Sequence, residues 1–161
     1  MPRSKSLVPV LLTAGFVTFF DRALLPPLFT PLGAAFEVPT ASIGHALTVY
    51  MVGYGLCQLV WGTLFARYGR VRILRIALVG SLLGTVITLA AIDYWMLLLG
   101  RALAGACFGA IVPATLVYFG DTLPLRERAR AAANLAASLS LGMTVATIAS
   151  AQIARWLHWQ V

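Results

Sequence analysis

Asp21 and Arg22 stand directly behind an apolar run, Leu7 to Phe20, and Arg101 stands inside another. A charge near the centre of a bilayer costs about 2.5–3.5 kcal/mol, so such residues face a bundle interior or a wet cavity and carry function by default. The chemistry open to these three groups is ion pairing, proton exchange at a carboxylate and anion recognition by guanidinium. Pro26 and Pro27 follow at once and remove the helical bonds to the carbonyls of Arg22 and Ala23, which opens the helix beside the charges. Two readings stand for Asp21 and Arg22: they neutralise one another near an interface, or they form part of a polar pathway. For Arg101 the alternatives are snorkelling outward or pointing inward to a partner.

The second concentration of charge is the stretch Gly62-Thr63-Leu64-Phe65-Ala66-Arg67-Tyr68-Gly69-Arg70-Val71-Arg72-Ile73-Leu74. It joins two runs long enough to cross a bilayer of about 30 Å at about 1.5 Å per residue. Fourteen apolar residues reach only about 21 Å, so the first helix must continue through Asp21 and Arg22. Five spans are expected, at about 7–29, 43–64, 73–92, 95–119 and 131–156, in an all-α polytopic membrane protein.

Bulk composition agrees. The chain has 161 residues, 60% hydrophobic and 11% charged, with mean hydropathy +0.89. Soluble domains average about 45–50% apolar and about 25% charged. The net charge of +7 lies in bases at helix ends, which points to topology and not to nucleic acid. Arg3 and Lys5, Arg67 to Arg75, and Arg126 to Arg130 fall on one side, and the positive-inside rule puts the N-terminus and both basic connections in the cytoplasm. Cys57 and Cys107 sit within apolar runs as small buried residues, and no His/Cys cluster suggests a metal. His45 and His158 fall at helix ends, and Arg155, Trp156, His158 and Trp159 read as an outer interface before the chain stops at Val161. No nucleophile, acid and base converge, so an enzyme is not expected, and no cofactor is called for.

Between these charges lie polar and small residues with positional meaning. Tyr54 and Gln58 in the second span could border a cavity, with interfacial packing as the alternative. Gly80 and Gly84, Gly105 and Gly109, and the four-residue series Ser138, Gly142, Ala146, Ser150 and Ala154 let helices approach closely in lipid. Residues 31–39 read as an outer loop, with Thr40 or Ser42 capping the next helix. Residues 121–130 read as a second basic loop.

The spacing from Gly62 to Leu74 resembles the loop 2–3 signature of the major facilitator superfamily, the twelve-helix secondary transporters. Gly62, Leu64, Arg67, Gly69, Arg70 and Leu74 match it, while Phe65, Ala66 and Val71 depart from it and Arg72 supplies a neighbouring base. The run Leu97 to Gly105 resembles a second signature, strongest in proton-coupled antiporters, and residues 124–130 resemble the family's loop after the fourth helix. The resemblance implies the five spans of an N-terminal six-helix half, in a truncated or partial transporter that works with further helices or a second half. It implies alternating access for a small solute in the plasma membrane, drug-antiporter-like efflux among the options, powered by a proton gradient. Arg101 and Asp21 would couple the proton, and the basic turn would act as a cytoplasmic gate weakened by Ala66 in place of an acid. A membrane scaffold without transport is the rival reading.

Overall fold

A computed structural model describes residues 7–157; Arg3, Lys5, His158, Trp159 and Val161 lie outside the described residues. It contains seven α-helices and one 3-10 turn that make five candidate membrane spans. The first span, Leu7–Ala35, is built from α1 (Leu7–Leu24), a 3-10 turn (Pro26–Leu28) and α2 (Phe29–Ala35). The second is α3 (Thr40–Tyr68) and the third α4 (Arg70–Leu89). The fourth, Tyr94–Thr122, is split into α5 (Tyr94–Phe108) and α6 (Ile111–Thr122), and the fifth is α7 (Leu125–Leu157).

Several boundaries differ from the sequence expectation, each for a physical reason. The outer loop expected at 31–39 is mostly helix: Pro31 falls in the first turn of α2, where a missing N–H costs nothing. The basic loop expected at 121–130 contracts to a short turn, because Pro124 precedes a run of strong helix formers and α7 starts at Leu125. Arg128 then donates through Nε to the Leu123 carbonyl at 3.0 Å and closes that turn. Neither Thr40 nor Ser42 caps α3; Pro39 holds the N-cap position and no side chain bonds there. Asp93 does cap α5, its carboxylate accepting from the Met96 N–H at 2.7 Å.

The break in the fourth span was not expected, although Pro113 announces it. Pro113 cannot donate to the Gly109 carbonyl, and the Ala110 N–H turns to Cys107 O at 3.1 Å. The Ala106 carbonyl, which a regular helix would offer to Ala110, accepts instead from the Trp61 indole N–H at 2.7 Å. In lipid an orphaned backbone group costs several kcal/mol, so this cross-helix bond is what makes the break tolerable.

Helix packing follows the small residues. α1 lies along α7, and α5 lies between α3 and α4. A Cβ at Gly105 would run into the Tyr50 carbonyl, and one at Gly142 into the Phe16 carbonyl. Ala146 and Ser150 are fully buried on the same stripe of α7, with Ser138 and Ala154 half-buried at its ends. Gly84 sits against the Ala104 backbone in the same way. Away from these seams, large apolar side chains such as Leu59, Leu82, Leu89 and Ile148 are exposed, the pattern of a lipid-facing surface. Buried hydroxyls of Thr18, Thr115 and Ser150 return their hydrogen bonds to carbonyls of the preceding turn, which removes their polar cost.

Candidate functional site: a buried ion pair beside a broken helix

Asp21 and Arg101 meet in the interior. Arg101 Nη1 donates to Asp21 Oδ2 at 2.9 Å, and Nη2 reaches the Asp21 carbonyl at 3.4 Å. Asp21 is 6% exposed and Arg101 2%. The second carboxylate oxygen, Oδ1, accepts from Thr85 Oγ1 at 3.1 Å, which ties α1 to α4 as well as to α5. The guanidinium carbon lies 4.4 Å from the centroid of the Tyr50 ring, a cation–π contact from α3. Four helices therefore converge on one pair of charges. Among the described residues, Arg101 Nε and the Tyr50 hydroxyl are buried without a hydrogen-bond partner.

This arrangement overturns one reading of the first span, the mutual neutralisation of Asp21 and Arg22. Asp21 and Arg22 do not neutralise one another, because consecutive helical residues point about 100° apart. Arg22 turns the other way and lies over the Phe19 ring, 5.5 Å from its centroid. No carboxylate pairs with it among the described residues. It lines a cavity of about 300 Å³ whose other walls include Phe19, Pro26, Leu47, Met143 and Thr147. Tyr54 and Gln58 are half-buried on α3, Gln58 within hydrogen-bonding reach of the Tyr54 hydroxyl. Leu47, and neither of these two, gives α3's share of that wall.

At one end of the bundle the basic turn is resolved residue by residue. Gly69 is the corner, with φ +84° and ψ 142°, a conformation that a side chain resists. Arg70 pairs with Asp121 at the end of α6, so the two basic connections share one end of the molecule. Arg67 lies 5.3 Å from the centroid of the neighbouring Tyr68 ring, and Arg72 is exposed. Leu64 packs beside Phe65, Ile73 and Ala114, whereas Gly62 faces open space. Gly109 abuts the Tyr54 carbonyl, one turn along from the Gly105–Tyr50 contact. At the opposite end His45 and Tyr94 join α3 to α5: the Tyr94 hydroxyl donates to Ser42 O at 3.0 Å, so the 2.9 Å contact to His45 Nδ1 has the imidazole as donor.

Asp121 and Thr85 were missed as partners of the site. Asp121 sits in a connection read only as basic, and Thr85 in a span that looked like apolar filler. Thr85 had no sequence signal beyond being polar within that span.

An all-helical bundle of lipid-length spans with a buried ion pair and a glycine-cornered basic turn at one end has the architecture of a polytopic membrane protein. The sequence profile of the Major Facilitator Superfamily matches residues 11–161, and the chain belongs to that family. Among its relatives are triacylglyceride transporters of Mycolicibacterium smegmatis, 31% identical over 116 residues (71% of this chain, 20% of the relative), and of Mycolicibacterium hassiacum, 34% identical over 116 residues (71% and 22%). An uncharacterised MFS-type transporter of Bacillus subtilis, YwfA, is 29% identical over 157 residues, 96% of this chain and 38% of the relative. The chain thus spans between a fifth and two fifths of the length of these curated relatives.

Proposed function

We propose that this chain supplies helices to a secondary carrier that moves a small hydrophobic or amphipathic solute by alternating access, with proton exchange at Asp21 as the coupling step. The observation that carries this reading is the buried Asp21–Arg101 pair, held by α1, α3, α4 and α5 together. Adding a proton to Asp21 strips Arg101 of its counter-ion in a low-dielectric interior, where an unpaired charge is untenable. The four helices must then re-pack around the guanidinium, and loss of the proton restores the pair. The unpartnered Arg101 Nε and Tyr50 hydroxyl support this, since they leave the network free to re-form in another arrangement.

The apolar wall beside Arg22 and the relatives named for triacylglyceride transport favour a hydrophobic substrate. The family's alternating access uses a cavity between two halves, so the five spans contribute one wall and further helices the other. The basic turn at Gly69 and the Arg70–Asp121 pair belong, on this reading, to a gate on the cytoplasmic side of the plasma membrane, with the N-terminus on that side by the charge rule. The test is a pH-jump flux assay on a full-length carrier bearing this chain. Arg101→Ala should abolish the dependence of flux on the proton gradient; unaltered proton dependence refutes the coupling role.

A further inference from the structure

Arg22 is the charge that the coupling pair leaves over. Counting about 1.5 Å per residue, it lies about 22 Å into a first span of about 43 Å, and its neighbour Asp21 meets Thr85 and Arg101 about 6–11 Å from the Leu89 and Tyr94 ends of their spans, so it sits within the membrane toward that side. The span runs Leu7–Ala35. A guanidinium at that depth is retained against a substantial insertion cost. Yet Asp21 faces Arg101, Asp121 faces Arg70, and Asp93 caps α5, so each aspartate of the chain is engaged elsewhere than at Arg22. It lies over the Phe19 ring, and the cavity it lines is mostly apolar, the Thr147 hydroxyl on its wall being bonded to the Met143 carbonyl.

We propose that Arg22 and this cavity form a binding subsite for a single-tailed amphipathic organic anion, a carboxylate or sulfonate joined to a hydrocarbon body. The head group would take the forked guanidinium donors, which suit planar or tetrahedral oxyanions. The tail would lie against Phe19, Pro26, Leu47 and Met143, the last a thioether that adapts to irregular shapes. A volume of about 300 Å³ is at the small end of ligand pockets, which run from about 300 to 1,000 Å³, and favours one short tail. An anionic phospholipid offers the same kind of head group, and the nanodisc comparison below separates it from a free single-tailed anion. This subsite deepens the carrier reading and rests on it for its biological sense, but binding can be measured without any transport.

The experiment uses the whole chain, labelled with ¹³C-methyl methionine, in phosphatidylcholine nanodiscs. Met143 lines the cavity, while Met51 and Met96 on other helices report global change. Titration with decyl sulfonate should shift the Met143 methyl resonance saturably, and decyltrimethylammonium, with the same tail, should not. Arg22→Gln should weaken sulfonate binding at least tenfold, and Arg22→Lys, which keeps the charge but loses the fork, should weaken it by less than Arg22→Gln. Equal shifts from the ammonium compound, or an unchanged affinity in Arg22→Gln, would show plain partitioning of tails and overturn the proposal. The same shift produced by phosphatidylglycerol in the disc, lost in Arg22→Gln, would assign the site to a lipid and equally overturn it. The comparison of the two head groups on the parent chain decides the matter even where a variant fails to fold. Loss of this binding with proton coupling at Arg101 intact would sink the subsite alone.

Discussion

Replacing Asp21 by Asn removes the counter-ion of Arg101 and almost nothing else. The guanidinium is 2% exposed and cannot swing into water. Removing one partner of a buried pair costs about 3–5 kcal/mol, chiefly because the remaining charge stays buried. The Asn amide oxygen can still accept from Nη1, and a hydrogen bond to a charged group is worth about 1.5–3 kcal/mol, so the loss should fall at the low end, about 3 kcal/mol. The Tyr50 ring contact is present before and after and does not change the difference. In the double variant Asp21→Asn/Arg101→Met both charges go, and replacement of a whole buried pair by apolar groups is often neutral or better. The double variant should therefore be more stable than Asp21→Asn by about 2 kcal/mol or more, a strong coupling between sites 80 residues apart. Equilibrium unfolding of the purified chain in mixed micelles with rising SDS, followed by circular dichroism, measures all four corners of the cycle. Additive single effects, or a cost under about 1 kcal/mol for Asp21→Asn, would mean that the two groups do not hold one another.

Other substitutions probe the scaffold. Gly105→Ala drives a Cβ into the Tyr50 carbonyl and should cost about 1–3 kcal/mol in the same titration, whereas Gly120→Ala, which meets open space, should be neutral or stabilising. Gly69→Ala must hold φ near +84° and should lose about 1–3 kcal/mol. Asp121→Asn breaks a pair whose side chains are 39% and 48% exposed, so it should cost no more than about 1 kcal/mol and less still at high salt. In a full-length carrier, Ala66→Asp should strengthen the gate proposed at the basic turn and shift inward/outward populations; unchanged populations and flux would refute that proposal.

The five spans were legible because hydropathy and the 1.5 Å rise leave little freedom in how often a chain crosses, and the fold class followed from them. Arg101 and Asp21 were legible as charges too expensive to be accidental. Their partnership was not, because Arg22 offered Asp21 a nearer candidate in sequence. Helical geometry rules that neighbour out, since side chains one apart diverge while α1 and α5 bring residues 21 and 101 face to face. The boundaries near 31–35 and 125–130 were misread because prolines and charges look like loop, although both suit the first turn of a helix in water. The break at Gly109 had its signal in Pro113, yet the compensating bond came from Trp61, 45 residues away, and no local pattern encodes that.

That interrupted fourth helix divides the molecule mechanically. Above the joint, α5 is bolted to its neighbours by the Trp61 indole, the Tyr50–Gly105 seam and the Asp21–Arg101 pair. Below it, α6 carries Asp121 and the tether to Arg70 on a separate segment. Bending is cheapest where hydrogen bonds are already forfeited, so a tilt at the Arg70 end can be absorbed at residues 109–110 while the charged centre keeps its register.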